Sequence, residues 1–217
     1  MNRTFELSEF LFLVAAVRWT LLLSLVAFLG GGAVGLVIAI LRTTHHRTLR
    51  LATAGYIQLF QGTPVLMQLF LFYYGLAVLF NMQVDAWPAV ALAFTLYSGA
   101  FLGEIWRGSI QAIPRTQWEA SACLSLGYFQ QLRFVILPQA MRISIPPTVG
   151  FLVQLIKNTS LAAVIGFIEL TREGQLTTAV TFRPFTVYLI VAALYFALCF
   201  PLTQWSRRLE RRLHVAR

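Results

Sequence analysis

Long apolar segments alternate with short charged segments along most of this chain. An apolar run of about 20 residues can cross the hydrocarbon core of a bilayer as a helix. Runs of that kind predict five membrane-spanning helices, at about residues 19–41, 56–80, 88–110, 147–167 and 185–205. Gly62, Thr63 and Pro64 interrupt the second run, and the backbone groups that such a break frees must face protein or a water-filled cavity. The pattern therefore predicts an all-α integral membrane protein with one broken span.

The segment that joins the third and fourth predicted spans, residues 114–142, is too polar to enter the bilayer. Pro114 ends the preceding span, and Thr116 with Glu119 three residues later predicts a capping box. We therefore expect a short helix to begin near Gln117.

A turn and a second short helix are predicted for the rest of this connector. Ser125 and Gly127 favour the turn, and Pro138 disfavours helical geometry at Leu137. A helix hairpin of this kind is typical either of a solvated connector on the membrane surface or of a compact knob that docks a partner. The pattern alone supports both interpretations.

The composition agrees with a membrane protein. Of 217 residues, 58% are hydrophobic and 12% are charged, with a mean hydropathy of +0.72, whereas a soluble domain carries about 25% charged residues. The net charge of +9 does not indicate nucleic-acid binding, because the arginines are concentrated at a few junctions between spans, as membrane topology requires. Membrane lipids are therefore expected as partners, and nucleic acid is not.

The charges also predict an orientation. The positive-inside rule places the arginine-rich junctions in the cytoplasm and the acidic ones outside. The arginines on the predicted inner side are Arg42, Arg47, Arg50, Arg115, Arg133, Arg142, Arg207, Arg208, Arg211 and Arg212. The acids on the predicted outer side are Glu6, Glu9, Asp85, Glu169 and Glu173. We expect the N-terminus outside, the connector and C-terminus in the cytoplasm, and no cleavable signal peptide, because the first apolar run is too long for one.

Small residues recur at every fourth position in two of the predicted spans. The first set is Ala27, Gly31, Gly35 and Ala39, and the second is Ala91, Thr95, Gly99 and Gly103. A stripe of small residues on one helix face allows another helix to approach closely. The spacing therefore predicts two helix-packing faces.

The sequence contains no evident set of residues for covalent chemistry. It has no Walker-type Gly-x-x-x-x-Gly-Lys motif, so ATP binding in that manner is excluded. The adjacent His45 and His46 would diverge on a helix and have no third ligand nearby, so a metal site is not expected. Cys123 and Cys199 have neither disulfide nor metal-site spacing. We expect no enzyme activity and no cofactor bound by this chain.

Polar side chains inside the predicted spans are candidates for a solute path. Glu104 and Arg107, three residues apart, are equally typical of an interfacial ion pair and of a polar path through the membrane. Lys157 lies near the middle of the fourth predicted span, where a lysine is costly unless it faces a partner or water, which favours a path or gating role over a structural one. The candidate path residues are Gln58, Gln61, Glu104, Lys157, Asn158, Thr159 and Ser160.

Four motifs together resemble the permeases of ABC importers, in particular the polar amino-acid uptake branch. They are residues 61–70, residues 104–114, Glu119-Ala120-Ser121 followed by Pro138, and residues 155–161. They occur in the family's order and span nearly the whole chain, which makes the combination more specific than any one motif.

This resemblance implies a type I ABC importer permease with five spans and a cytoplasmic coupling helix hairpin. It implies import of a polar amino acid or close analogue across the bacterial inner (plasma) membrane by alternating access. The implied partners are an ABC ATPase subunit, which uses the ATP and Mg, a second permease copy or paralogue, and an external solute-binding protein. The implied ATPase-coupling residues are Thr116, Glu119, Ala120, Ser125 and Gly127, with Glu119 in the ATPase groove.

The sequence departs from the family pattern in three places. Ser125 stands where the family usually has Gly, which suggests a turn shifted to Gly127. Gln58 and Gln61 replace a frequent acid and base, and could still hydrogen-bond to each other across one helical turn. The third departure follows Lys157.

Asn158 stands after Lys157 where an Asp is usual. Lys157 thus lacks its neighbouring acid, and Glu104 becomes its candidate partner. Two alternatives remain open. An ion-gradient-driven secondary transporter or channel would use Glu104 as a proton carrier but leaves the capped hairpin unexplained. A purely structural membrane subunit would not need the polar residues at 157–160.

Overall fold

The computed structural model describes residues 5–43, 46–81, 83 and 85–215, with side chains up to residue 212. His45 of the paired histidines, and Met82 and Val84 of the turn expected before the third span, lie outside these residues. The helices are α1 (Leu7–Thr43), α2 (Arg47–Gly62), α3 (Val65–Phe80), α4 (Ala86–Gln111), α5 (Arg115–Cys123), α6 (Tyr128–Ile165), α7 (Leu170–Thr181) and α8 (Pro184–Val215).

Four of these helices, α1, α4, α6 and α8, are long and apolar enough to cross a membrane unbroken. The pair α2 and α3 forms a fifth crossing if it is counted as one span, and the two helices meet at a bend of 105°. The expected all-α membrane architecture is confirmed.

The first helix begins at Leu7, well before the predicted start at Trp19. The side chain of Arg18 does not end the helix, because it points outward over the ring of Trp19, 5.4 Å from its centroid. On the opposite face, Leu13 is fully buried against Leu170 and neighbouring residues of α8. Packing on that side therefore keeps the earlier turns helical.

The two predicted small-residue faces pack against each other, which confirms the helix-packing interpretation. A methyl group added at Gly31 would lie 2.3 Å from Cβ of Ser98, and one added at Gly35 would lie 2.9 Å from the backbone nitrogen of Gly103. A methyl group added at Gly99 would lie 2.6 Å from Cγ1 of Val34. Only glycine lets the backbones of α1 and α4 approach this closely.

The predicted break in the second span separates α2 from α3, and the side chain of Gln68 satisfies the backbone that it frees. Nε2 of Gln68 donates to the carbonyl oxygens of Phe60 (2.8 Å) and Thr63 (3.1 Å) and to the Thr63 hydroxyl (2.8 Å). Gln68 is buried. The break therefore meets the requirement that freed polar groups within a membrane find protein partners. α2 begins at Arg47, before the predicted residue 56.

The expected break at Pro138 is wrong. Leu137 is helical, with φ −58° and ψ −43°, and the second helix of the connector continues directly into the fourth span as α6. The turn just before it, Gln131–Ile136, widens to π-helical geometry. Pro138 is the second residue of the α-helical stretch that follows this widened turn. The helix of the fourth span, α6, therefore begins at Tyr128 rather than near Pro147.

The last turns of α6 change geometry again. The stretch Thr159–Ile165 is 3₁₀-helical and ends at Gly166, whose φ of 87° is the left-handed conformation that glycine adopts readily. α7 follows and lies between the last two spans.

Candidate functional site

The connector helix α5 is anchored by its underside and exposed on its outer face. Ile113, Ile136 and Ala140 form a small buried cluster beneath it, and the Trp118 ring stacks on Tyr128 with centroids 6.1 Å apart. Thr116, Glu119, Ala120, Ser125 and Gly127 are all exposed. The hairpin is therefore fixed to the bundle and presents the predicted coupling residues outward.

The predicted capping box at Thr116 and Glu119 is not formed. α5 begins at Arg115, its cap residue is Pro114, and no side chain caps it by a hydrogen bond. Pro114 holds the extended conformation that ends one helix and starts the next (φ −56°, ψ 142°). Thr116 and Glu119 therefore lie inside the helix, and their side chains stay free for a partner.

The turn has not shifted to Gly127. Ser125, at the position where relatives usually have Gly, keeps the left-handed conformation with φ 58°, which is strained for a residue with a side chain. Gly127 has an ordinary φ of −66°, and its N–H donates to Oε1 of Gln130 at 3.0 Å. The angle between the two connector helices is therefore set at Ser125.

The exposed tip of the hairpin is apolar. Leu124 and Phe129 are 75% and 82% exposed. Large exposed apolar side chains grouped beside polar ones are typical of a protein-protein contact. The tip thus has the chemistry of a docking surface rather than of a solvated linker.

Glu104 pairs with Arg107 on its own helix and not with Lys157, so that expectation is wrong. Nε of Arg107 donates to Oε2 of Glu104 at 2.8 Å, a second guanidinium nitrogen of Arg107 contacts Oε1, and Arg107 also contacts Gln111. Next to this pair, Nε1 of Trp106 donates to Oγ1 of Thr148 at 3.1 Å. The pair is partly buried at the connector end of α4.

Gln58 and Gln61, which could have bonded to each other across one helical turn, do not. Nε2 of Gln61 points to the carbonyl of Ala100 on α4, at 3.4 Å, while the Gln58 side chain is exposed. Gln61 thus meets α4 one helical turn before Glu104.

Lys157 faces α8. Its side chain is exposed within α6 and lines a cavity of about 370 Å³ together with residues of α8 that include Tyr195, Cys199 and Arg207. Nδ2 of Asn158, the next residue, donates to the Tyr97 hydroxyl on α4 at 3.2 Å. Adjacent residues therefore point to different helices, which explains why Lys157 cannot reach Glu104.

Thr159 and Ser160 bond to their own helix. Oγ1 of Thr159 donates to the carbonyl of Ile156 and Oγ of Ser160 to that of Lys157, both at 2.7 Å. These bonds support the tightened geometry that begins at Thr159. The candidate path residues thus separate into a group at Gln61 and Glu104 and a group at residues 157–160.

A buried acidic network lies at the end of the bundle away from the connector, and sequence reasoning missed it. Glu169 is fully buried. The Tyr195 hydroxyl donates to Oε2 of Glu169 at 2.7 Å, the Arg172 backbone N–H donates to Oε1 at 2.9 Å, and the Thr20 hydroxyl lies 3.4 Å from Oε2. The network joins α1, α7 and α8.

Burial raises the pKa of the Glu169 carboxyl above its usual range, and the hydrogen bonds from its neighbours offset part of that effect. The sequence placed Glu169 only among the acids of the predicted outer side. No local pattern reveals that Thr20 and Tyr195 come from distant helices to meet it. The four-residue spacing of Tyr195, Cys199, Thr203 and Arg207 is a signal that could have identified the cavity side of α8.

Within the described residues, no three His, Cys, Asp or Glu side chains are grouped so as to hold a metal ion. The arrangement offers two kinds of chemistry instead. One is a rigidly attached, exposed hairpin, and the other is a set of polar and cationic side chains within the bundle.

The chain was compared with known proteins. Residues 31–215 match the family described as "Binding-protein-dependent transport system inner membrane component". The chain is 37% identical to the L-cystine transport system permease protein TcyB of Bacillus subtilis (strain 168), over 93% of this chain and 86% of that protein. It is 34% identical to the glutamine transport system permease protein GlnP of Escherichia coli (strain K12), over 94% and 93% of the two chains.

The solved structures that are similar to this chain are also ABC transporters. A crystal structure of an amino acid ABC transporter with histidines superposes with a TM-score of 0.90 at 31% identity, covering 97% of this chain and all of that one (100%). An inward-facing structure of the MetNI methionine ABC transporter superposes with a TM-score of 0.79 at 18% identity, covering 96% and 99% of the two chains. The second likeness concerns the fold alone.

Proposed function

The chain belongs to the family of inner membrane components of binding-protein-dependent transport systems, and on that premise we propose that it imports a polar amino acid or a close analogue. It is the membrane-spanning permease subunit of an ATP-driven ABC importer. The proposal for the solute draws on the named cystine and glutamine permeases and on the amino acid transporter structure.

The observation that carries the coupling proposal is the anchored, outward-facing hairpin. An ATPase subunit holds the surface formed by α5 and the turn at Ser125 in a groove, with Glu119 and Ala120 at the contact. The buried cluster under α5 and the Trp118–Tyr128 stack make the hairpin move as one body with the bundle. The partner ATPase, not this chain, uses ATP and Mg.

Because α6 is continuous from the connector through the membrane, movement of the hairpin is passed directly into the fourth span. α4 ends at the other side of the same hairpin. Closing of the ATPase pair would therefore tilt α4 and α6 together and switch the central path between the two sides, as in domain rocking. A second permease copy or paralogue completes the path.

The proposed orientation follows the charges, with the N-terminus outside and the connector and C-terminus in the cytoplasm. An external solute-binding protein then delivers the solute to the end of the bundle that carries α7. We assign the solute path to the group at residues 157–160 and to Gln58, Gln61 and Glu104, because polar side chains within membrane spans are typical of such a path.

The test is co-purification with candidate ATPase subunits, followed by reconstitution in liposomes. Glu119→Lys is expected to abolish solute uptake while the protein still inserts and folds, because the reversed charge opposes the ATPase contact. Uptake and ATP hydrolysis are measured in the same vesicles.

The matched control is Glu210→Lys, which reverses an exposed charge near the same end of the bundle and is expected to leave uptake unchanged. Normal ATP-driven uptake by Glu119→Lys would remove Glu119 from coupling. Uptake by the chain alone, driven by an ion gradient without ATP, would instead establish the secondary-transporter alternative.

A further inference from the structure

The first part of α6, where the connector hairpin joins the fourth span, is wider than an α-helix. Over Gln131–Ile136 the helix has π geometry, and the Leu137 N–H donates to the carbonyl of Leu132, five residues back instead of four. π turns are rare, and they occur frequently at functional sites. Any movement that passes from the hairpin into the fourth span has to cross this turn.

Pro138 accounts for the widening. Proline has no N–H to donate to the carbonyl four residues earlier, which is that of Phe134, and its ring clashes with that carbonyl in an ordinary α-helix. Kinks in helices are found at prolines and at π-type widenings, and this helix has both within a few residues. α6 therefore continues past Pro138, but its ladder of backbone hydrogen bonds lacks a donor there.

The side chain of Gln139 supplies a donor at this place. Its Nε2 donates to the carbonyl of Val135 at 2.8 Å. The same nitrogen lies 3.4 Å from Oε1 of Gln117 on α5. One half-buried amide thus connects the widened turn of α6 to the first helix of the connector.

The apolar contacts beneath α5 do not fix this joint by themselves. Leu132 and Ile136 of the widened turn pack near Ile113 and Trp118 in the buried cluster under the hairpin. Apolar contacts of this kind are non-directional, so they hold α5 and α6 together without fixing the rotation of one helix against the other. A hydrogen bond depends on angle as well as distance, and the Gln139 amide supplies that constraint.

A second glutamine holds the other end of the widened turn. Nε2 of Gln131 donates to the carbonyl of Leu126 at 2.7 Å, within the segment that leads from α5 into α6. This bond stays within the hairpin turn, whereas the amide of Gln139 reaches α5 itself. The two glutamines therefore bracket the same six residues and differ in what they join.

We propose that Gln139 is a positioning residue for ATP-driven import. Its amide locks the widened turn of α6 to α5, so that the hairpin passes its movement to the fourth span without rotation at Pro138. When this lock is missing, the turn absorbs part of the movement. The role in import rests on the proposed function, whereas the locking of the turn does not.

The locking is tested on the purified full chain in lipid nanodiscs. Gln139→Leu removes both contacts of the amide and keeps a side chain of similar size. Hydrogen–deuterium exchange of the backbone amides of residues 128–140, followed by mass spectrometry, should become about two- to tenfold faster, as the loss of one hydrogen bond predicts. Exchange in α4 and α8 should stay unchanged. Gln139→Lys, which keeps a donor for the Val135 carbonyl, should exchange at close to the native rate.

The role in import is tested in liposomes that contain the assembled transporter. The measured quantity is the amount of amino acid imported per ATP hydrolysed. We expect Gln139→Leu to lower this ratio at least threefold while ATP hydrolysis continues, and Gln139→Lys to retain it. Gln131→Leu is the matched control, because it removes a glutamine donor from the same turn without touching α5, and it should leave the ratio unchanged.

A reversible covalent bond can replace the lock. Gln117→Cys and Gln139→Cys are combined in a chain that also carries Cys123→Ser and Cys199→Ser. With both thiols reduced, the ratio should be as low as in Gln139→Leu. Joining them with a short bis-methanethiosulfonate should restore it, and a reductant should lower it again. This pair also decides the matter if Gln139→Leu does not assemble.

A native ratio in Gln139→Leu would overturn the positioning role while the proposed function stands. An equal fall in Gln131→Leu, or no recovery when the two thiols are joined, would also overturn it, because general loosening would then explain the loss. Unchanged exchange in Gln139→Leu would overturn the locking itself. If the native chain imports nothing with any ATPase subunit, the proposed function fails, and the exchange rates still decide whether Gln139 locks the turn.

Discussion

Two helix pairs in this bundle meet in opposite ways. α1 and α4 are so close that a methyl group on Gly31 would lie 2.3 Å from Cβ of Ser98. α6 and α8 instead leave a cavity of about 370 Å³ between them, with a lysine on one wall. Both pairs lie within the same apolar bundle, so hydrophobicity alone does not distinguish them.

The difference shows which part of the bundle can move. In a membrane, helices associate through close packing of small residues and through polar contacts rather than through the hydrophobic effect. The α1–α4 pair associates through close packing of small residues. Tightly packed surfaces of this kind have few alternative arrangements. The α6–α8 pair is held at its connector end by the Ser206–Pro146 hydrogen bond, and farther along Cys199 packs against Val153 and Ile156. We therefore expect the separation of α6 and α8, rather than that of α1 and α4, to change during transport.

The largest effect is expected from a single methyl group in the tight pair. Gly31→Ala should destabilise the protein by about 1–3 kcal/mol, because the new methyl overlaps Ser98 and the nearby backbone of Gly99. The measurement is the temperature at which half of the detergent-solubilised protein remains monodisperse.

Gly150→Ala is the matched control. Gly150 lies on an exposed part of α6, with no atom within 4 Å of an added methyl, and replacing a helical glycine there should be neutral or stabilise by up to about 1 kcal/mol. Equal loss in both variants would mean that the contrast between the two pairs is not one of packing.

An intermediate, pH-dependent effect is expected at Glu169, whose hydrogen bonds tie α8 of the loose pair to α1 and α7. Burial raises the pKa of Glu169 above its value in the unfolded chain, so the folded protein holds the proton more tightly. The resulting stability is present at acid pH and is lost as the pH rises through the folded-state pKa. Glu169→Gln, which cannot ionise, should flatten the fall in midpoint temperature between about pH 5 and about pH 8.

Glu173→Gln, one turn along α7, is the control and should keep the pH dependence of the native chain. A Glu169→Gln variant whose midpoint falls with pH as steeply as that of the native protein would show that this carboxyl is not the group responsible.

The smallest effect is expected at the connector end of the loose pair. Ser206→Ala removes the hydrogen bond to the Pro146 carbonyl and should cost about 0.5–1.5 kcal/mol. We also expect a water-soluble maleimide to label Cys199 faster in this variant, because the lost hydrogen bond held α6 and α8 together. Ser144→Ala, which removes a hydroxyl bonded only within α6, should change neither the labelling rate nor the stability by a comparable amount. Unchanged labelling in Ser206→Ala would place the flexibility elsewhere.

Predictions that depend on the local chain were confirmed where the bilayer or the backbone imposes the answer. A run of apolar residues has to form a helix because no water is present to satisfy its backbone. For the same reason the interruption at residues 62–64 predicted a break, and the bend is there. The four-residue spacing of Gly31 and Gly35 predicted a packing face because helix geometry alone aligns them.

Predictions about the partners of polar side chains failed where several neighbours were available to one side chain. Lys157 was expected to be the partner of Glu104. Glu104 instead pairs with Arg107 on its own helix, and Lys157 faces α8. The capping box at Thr116 was also wrong, since Pro114 starts the helix without it. Local rules describe what a residue tolerates, and they do not identify which of several tolerated neighbours it meets.

The sequence by itself determined an all-helical membrane protein, its apolar spans, its broken second span and the exposed hairpin after the third, because lipid leaves the backbone few choices. Only the tertiary structure decided that Pro138 lies in a continuous helix, that Ser125 keeps the left-handed turn, and that Glu169 is buried against Tyr195. These outcomes depend on packing between helices far apart in the chain, where a few favourable contacts outweigh the local preference of one residue.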